Sequence, residues 1–336
     1  MTGILGFDVG GANLKAALVG EGPPRVFDRP FPLWREPHLL PETLSESARE
    51  LGGPTPRMAL TMTAELCDCF RTKREGVAYV LDAFGKAFPG SEARTFGVDG
   101  RFHSPEAARL RPLRVAAANW MATALLLAET VPNGLLIDCG STTTDIIPIV
   151  AGRVVARGRT DPGRLRRGEL VYTGVLRTPV CALVRSLPLK GRRSRVAAEL
   201  FAIAADAHLF LGSISKRDYS CETPDGRGRT PEDAGARLAR MVCADAEMLS
   251  ASDLRALAER IARAQLIEIV SGIREVRRSL GERAPRLAVV AGAGSFLARK
   301  AAEEAGLEVM RGPFDGEVGR VAPAVAVASL LERETA

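Results

Sequence analysis

Lysine, histidine and the large aromatics are scarce in this chain. Of 336 residues, six are lysine, three histidine, three tyrosine and two tryptophan. Three scattered histidines (His38, His103, His208) exclude a histidine-rich metal centre, and Asp206-x-His208 reads as local hydrogen bonding rather than ligation. The longest apolar stretch, Trp120–Ala128, falls far short of the roughly 18 residues a membrane helix needs. MTGILGFDVGG has no basic segment before an apolar core, so neither a signal peptide nor a membrane partner is expected, and the chain reads as cytoplasmic. The six cysteines are scattered, and Cys67-x-Cys69 lacks a second pair at zinc-finger spacing; they read as reduced thiols, packed or idle.

Hydrophobic residues make up 46% and charged residues 26%, the balance of a globular protein with room for two domains. The net charge is +6, and nearly all the basic residues are arginine. That mild excess suits phosphate-bearing small molecules; without a concentrated basic patch it does not point to nucleic acid.

The periodicity predicts a hairpin, Ile4–Asp8 and Leu14–Val19, joined through Gly10-Gly11. A proline-rich loop over 20–37 follows, then a helix over 41–51, a strand over 57–63, a helix over 72–88 and a strand over 94–98. Helix is expected over 105–110 and 115–128. A second hairpin then repeats the first: strand 134–138, the Gly140-Ser141 turn and strand 144–150, with a third strand over 153–159. Residues 193–250 read as mainly helical, 254–280 as one long helix, 286–291 as a strand, and 296–305 and 321–332 as helices. The repeated hairpin implies an internal duplication. The expected domains are 1–130, joined by the C-terminal helix 321–334, and 131–320.

Three motifs carry chemistry. In Asp8-Val9-Gly10-Gly11-Ala12-Asn13-Leu14-Lys15, two glycines expose backbone N–H groups to an anion. Asp8 is placed to hold a divalent cation, directly or through water, and Lys15 to reach a phosphate. The motif by itself is equally an ordinary turn. Its counterpart, Asp138-Cys139-Gly140-Ser141-Thr142-Thr143-Thr144-Asp145, lies 130 residues on and has the same order of carboxylate, glycine and hydroxyls. Two such motifs, each opening a half, argue for function. In the third, a strand runs into Gly292-Ala293-Gly294, a phosphate- or nucleotide-type loop. It sits too late in the chain for a dinucleotide fingerprint.

Together the three motifs resemble the superfamily of acetate and sugar kinases, actin and the heat-shock chaperone ATPases. The resemblance implies an α/β fold of two duplicated actin-like (ribonuclease H-like) domains around a central cleft. Residues 8–15 and 138–145 would be its phosphate loops and 292–294 its nucleotide side. The strings 61–70 (TMTAELCDCF), 116–124 (AAANWMATA), 168–174 (GELVYTG) and 177–180 (RTPV) narrow it. They resemble the hydantoinase/oxoprolinase-like proteins of the tetrahydromethanopterin-linked C1 pathway. These include the ether synthases that join an aminomethylfuran to tyramine in methanofuran and methylofuran biosynthesis.

That family's reaction is attack of a phenol on (5-(aminomethyl)furan-3-yl)methyl diphosphate. The resemblance thus implies that Asp8 and Asp138 organise Mg2+, and that Gly10, Gly11, Asn13, Gly140, Ser141, Thr142 and Thr143 bind diphosphate, with Lys15 neutralising charge. ATP is compatible but not required. The phenol needs a base, for which Glu65, Asp145 and Glu169 are candidates. Glu65 would equally hold the cationic aminomethyl group, and Glu65 and Glu169 equally fit structural roles. Thr63, Tyr172 and Thr173 would line the cleft, although Tyr172 also fits an apolar filler. Arg164, Arg166, Arg167 or Arg177 would read a substrate carboxylate. The expected partners are the furfuryl diphosphate and a tyramine- or tyrosine-type phenol, with an oligomer compatible. Competing readings are an ATP-dependent small-molecule kinase or amidohydrolase, and a nucleotide-binding regulator.

Overall fold

Hydrophobic runs that alternate poorly, such as Ile4–Val9 and Leu135–Ile137, demand strands covered on both faces, and two such sheets form. The computed structural model describes residues 3–334; Met1 and Thr2, the start of the N-terminal segment read above, lie outside them.

The first sheet comprises β1 (Gly3–Val9), β2 (Asn13–Gly20), β3 (Arg25–Pro30), β4 (Arg57–Met62), β5 (Glu92–Phe96) and β6 (Phe102–His103), in the order β3-β2-β1-β4-β5-β6. The first three strands are antiparallel, and β4 and β5 run parallel to β1. The second sheet comprises β7 (Gly134–Cys139), β8 (Thr144–Val150), β9 (Arg153–Val154), β10 (Leu170–Val171), β13 (Leu287–Ala291) and β14 (Glu308–Val309). Its order is β10-β8-β7-β13-β14, with β9 also on β8. The antiparallel hairpin followed by parallel strands is thus used twice. This is the duplicated actin-like α/β fold that the repeated motif implies.

Helices cover both faces of each sheet. The outer face of the first packs on Leu40–Glu50 and Lys73–Ala87, and that of the second on Ala251–Leu280 and Ser295–Glu304. Asn119–Ala128 and the C-terminal Ala322–Glu334 lie in a core that takes residues from both sheets, among them Ile4, Ala59, Leu136 and Ile147. That shared core holds the ends of β1 and β7 on one cleft.

Four segments depart from the sequence reading. Within the proline-rich stretch 20–37, Arg25–Pro30 is a strand; it is an edge, where a terminal proline and charged side chains are tolerated. Only Arg153–Val154 of the third predicted strand is strand: Val155 N–H still donates to the Pro148 carbonyl of β8, but the N–H groups of Arg157 and Gly158 turn to the Glu169 carboxylate instead. The helix predicted from 115 starts at Asn119, since Ala117 is left-handed with φ 48°. Residues 193–250 are far less helical than expected. Arg192–Arg195 (β12) pairs with Ser186–Leu189 (β11) through a Lys190-Gly191 turn with positive φ at both residues, and only Ala204–Phe210 and Pro231–Arg240 are helical.

The C-terminal helix approaches β1 closely because Gly6 has no side chain. A Cβ there would lie 2.1 Å from the Ala324 carbonyl oxygen and 2.9 Å from the Ala328 Cβ. We therefore expect Gly6→Ala to destabilise the fold by about 1–3 kcal/mol, read as a lower urea midpoint at unchanged slope.

Candidate active site

The same hairpin turn forms at the end of each sheet. Gly10 N–H donates to the Asn13 carbonyl at 3.0 Å, and Gly140 N–H to the Thr143 carbonyl at 2.9 Å. Neighbouring segments then bind the loop carbonyls. Leu33 N–H donates to Gly11 and Phe31 N–H to Ala12, while Val175 N–H donates to Gly140 and both Leu176 and Arg177 N–H donate to Ser141. With these carbonyls engaged, the N–H groups of Gly11, Ala12, Ser141 and Thr142 have no partner among the described residues. They form two donor turns suited to an anion. The Asn13 amide donates to the Ser141 hydroxyl at 3.4 Å, linking the turns across the cleft. Gly174 packs beneath the second, where a Cβ would meet Thr142 N at 2.4 Å.

The carboxylates follow from register. On the first hairpin Asp8 lies opposite Lys15, and on the second Asp138 lies opposite Asp145. The duplication therefore places a cation and an anion at equivalent positions. Arg164 engages Asp145 and also donates to the Glu169 carbonyl at 3.2 Å, while its guanidinium lies 4.5 Å from the Trp120 ring centre. Asp161, near Arg164, accepts from Lys73 at 2.6 Å, and Lys73 donates to Glu65 at 3.1 Å. An alternating chain Asp145–Arg164–Asp161–Lys73–Glu65 thus runs along the cleft wall.

A cavity of about 520 Å³ lies between the hairpins. It is lined by six carboxyl groups (Asp8, Glu65, Asp68, Asp138, Asp145, Asp161) against three cations, Lys15, Arg164 and Arg177. Burial pushes Asp8 up to about 6, with Lys15 pulling against it, and pushes Asp138 up to about 7, reinforced by Asp145. Burial also raises Asp145 against the pull of Arg164, and raises Glu65 against that of Lys73. Asp8 Oδ1 and Glu65 Oε2 are buried acceptors with no partner among the described residues. This excess of buried negative charge suits a divalent cation. No three ligating side chains are grouped to hold a metal by themselves among the described residues.

The cleft gathers Asp8, Gly10, Gly11, Asn13, Lys15, Thr63, Glu65, Asp138, Gly140, Ser141, Thr142, Thr143, Asp145, Tyr172 and Arg177 of the predicted residues. Tyr172 is 58% exposed there, so it is no apolar core filler. Other predicted residues fall outside the lining. Glu169 is 3% exposed, and its two carboxylate oxygens accept from Arg157 and Gly158 N–H at 2.6 and 2.7 Å, which occupies it structurally. Thr173 is buried and bonded to Thr178 and Gln265. Gly292, Ala293 and Gly294 pack behind Asp138: Gly294 N–H donates to the Cys139 carbonyl, and a Cβ on Gly292 would lie 2.4 Å from Asp138 Oδ1. They support the carboxylate without lining the cavity. His208 bonds Gln265 at 2.8 Å, 57 positions along the chain, where local hydrogen bonding was expected, and all six cysteines are free. Among the described residues, no helix is long and apolar enough to cross a membrane.

Trp34, Asn119 and Asp161 also line the cleft and were missed, as was Lys73 behind it. Rarity was the available signal: Trp34 is one of two tryptophans and Lys73 one of six lysines.

The chain has the duplicated actin-like α/β fold, with a cleft between its two hairpin turns. The hydantoinase/oxoprolinase family profile matches residues 57–334, and the chain belongs to that family. It is 37% identical over 336 residues, 98% of each chain, to the (4-{4-[2-(gamma-L-glutamylamino)ethyl]phenoxymethyl}furan-2-yl)methanamine synthase of Methanocaldococcus jannaschii. A protein of the same name from Methanococcus vannielii is 32% identical over 208 residues, 60% of this chain and 92% of the relative. Nucleotide-free acetone carboxylase, from work on ATP-dependent acetone carboxylation, is similar in fold with a TM-score of 0.56. The match is 10% identical and covers 97% of this chain and 70% of that one.

Because the folded Asp8 and Asp138 carboxyls hold protons that the unfolded chain releases near pH 4, native stability declines as pH rises from about 4 to about 7. Asp138→Asn removes that penalty. We expect the variant to exceed the parent by roughly 1–3 kcal/mol near pH 8, with the advantage vanishing near pH 4, in paired thermal melts. An advantage that does not change with pH would place the cause elsewhere.

Proposed function

We propose that the protein is a transferase that forms an aryl ether. The phenol oxygen of a tyramine- or tyrosine-type acceptor, γ-glutamylated or not, attacks the methylene of (5-(aminomethyl)furan-3-yl)methyl diphosphate. The carbon–oxygen bond to diphosphate breaks, and the phenol proton is taken up by the protein. The observation that carries this reading is the facing pair of donor turns, each preceded by a buried aspartate, in a chain 37% identical along its length to a synthase named for such an ether.

The barrier lies largely in charge developing on the leaving diphosphate, since a furfuryl carbon tolerates positive charge. Preorganised donors aimed at that charge lower it. The N–H groups of Gly11, Ala12, Ser141 and Thr142, with the hydroxyls of Ser141, Thr142 and Thr143, would bind diphosphate oxygens. Lys15, with no ion-pair partner among the described residues, would neutralise one of them. Asp8 and Asp138 would hold Mg2+, which when bound supplies positive charge to the diphosphate.

Glu65 fits the base best of the three candidates. Asp145 is engaged by Arg164, and both Glu169 oxygens accept backbone N–H groups. Glu65 keeps one oxygen, Oε2, unpartnered, while Lys73 holds the other. Burial raises its proton affinity toward that of a useful base. Asp68 remains in the lining as a carboxylate for the cationic aminomethyl group.

The test is ether formation by purified protein from the furfuryl diphosphate and tyramine, tyrosine or γ-glutamyltyramine, with Mg2+ and without ATP. A strict requirement for ATP hydrolysis would overturn the reading in favour of an ATP-dependent kinase or amidohydrolase. Chelation of Mg2+ should abolish turnover, and its readdition should restore it. Glu65→Gln should lower kcat by about 10²–10⁴-fold with diphosphate affinity retained, as expected for loss of a general base.

A further inference from the structure

Two cations in the cleft lining make no ion pair among the described residues, Lys15 and Arg177. Arg164, by contrast, is committed to Asp145 and the Glu169 carbonyl. The Arg177 guanidinium lies 4.7 Å from the centre of the Trp34 ring. The Arg177 side chain makes no hydrogen bond or ion pair among the described residues, so its fork of N–H donors is unspent.

Each partner of the stack is tied by backbone to one of the anion loops. Arg177 N–H donates to the Ser141 carbonyl at 2.9 Å, and Leu33 N–H, next to Trp34, donates to the Gly11 carbonyl at 3.1 Å. Beside them Arg35 pairs with Glu222, a second link between the two parts of the chain. The stack therefore spans the cleft where the two donor turns converge.

We infer that Arg177, held on the face of Trp34, is a leaving-group clamp: its in-plane donors bind diphosphate oxygens opposite Lys15. This rests on the diphosphate reading above and adds a second cation to it. A guanidinium binds such oxygens bidentately, where an ammonium acts as a point charge. Trp34 fixes the plane of the fork, which makes it a positioning residue. A substrate carboxylate is the competing anion, but the ties of both partners to the phosphate loops favour diphosphate.

The experiment is titration of the purified full-length protein with inorganic pyrophosphate and Mg2+, followed by calorimetry and by tryptophan fluorescence. We expect Arg177→Ala to weaken pyrophosphate binding by about 10–100-fold, the loss of charge-assisted hydrogen bonds. Arg177→Lys should recover part of it. Trp34→Phe, which keeps a ring, should retain affinity and lose the pyrophosphate-dependent fluorescence change; Trp34→Ala should weaken binding. Wild-type pyrophosphate affinity in Arg177→Ala would overturn the inference. So would an unchanged pyrophosphate affinity accompanied by lost preference for γ-glutamyltyramine over tyramine, which would assign Arg177 to a carboxylate. The ether-forming reading fails separately, if pyrophosphate binds through Arg177 yet no phenol is alkylated.

Discussion

Buried carboxyl groups crowded around one half-buried lysine form the constraint on which the rest depends. Asp8, Asp138 and Asp145 lie within one another's field, and only Lys15 faces all three. Left alone, such a cluster disfavours ionisation and therefore folding at neutral pH. It persists because two sheets and their shared helical core hold the hairpin ends rigidly. What burdens the fold is the same feature that would attract a divalent cation and, through it, an anionic substrate.

The duplication makes the arrangement nearly symmetric, and its departures from symmetry carry specific chemistry. Both turns use the same glycine hydrogen bond, and both first strands carry an aspartate at the position before their last. Opposite the aspartate, however, one hairpin has Lys15 and the other Asp145. The second hairpin's additional negative charge is met by Arg164, which is 2% exposed and brought in from residues beyond β9. That arginine begins an alternating series ending at Glu65, so the base candidate is held by the same network that balances the second loop. The Gly292-Ala293-Gly294 loop, expected from the sequence at the cleft, has a supporting place here. Gly292–Gly294 packs against the strand that presents Asp138 and leaves the cavity to the two hairpin loops.

The hairpins, their glycines, the long helix over 254–280 and the duplication were legible in the chain. Each rests on local pattern: apolar runs that end in Asp-x-Gly, or a sustained helical period. The edge strand Arg25–Pro30 and the hairpin at 186–195 were not, because prolines or charges mask strands that have only one neighbour. Glu169 and Thr173 resembled cleft residues because they sit within one residue of Tyr172 or two of Leu170 in a single string. Of that string only Leu170 and Tyr172 line the cleft, while the Glu169 carboxylate turns to Arg157 and Gly158 N–H and the Thr173 hydroxyl to Thr178 and Gln265.

What the sequence by itself determined was the set of reactive turns: two carboxylates, their glycines and hydroxyls, and a rare lysine at fixed spacing. Those depend on contacts within about eight residues, where the chain has few choices. The tertiary structure alone decided which charges meet. That Arg164 goes to Asp145, that Lys73 reaches both Glu65 and Asp161, and that Arg177 lies on Trp34 are contacts across 8 to 143 positions. Such pairings are set by the packing of two sheets around a common core, and no local pattern encodes them.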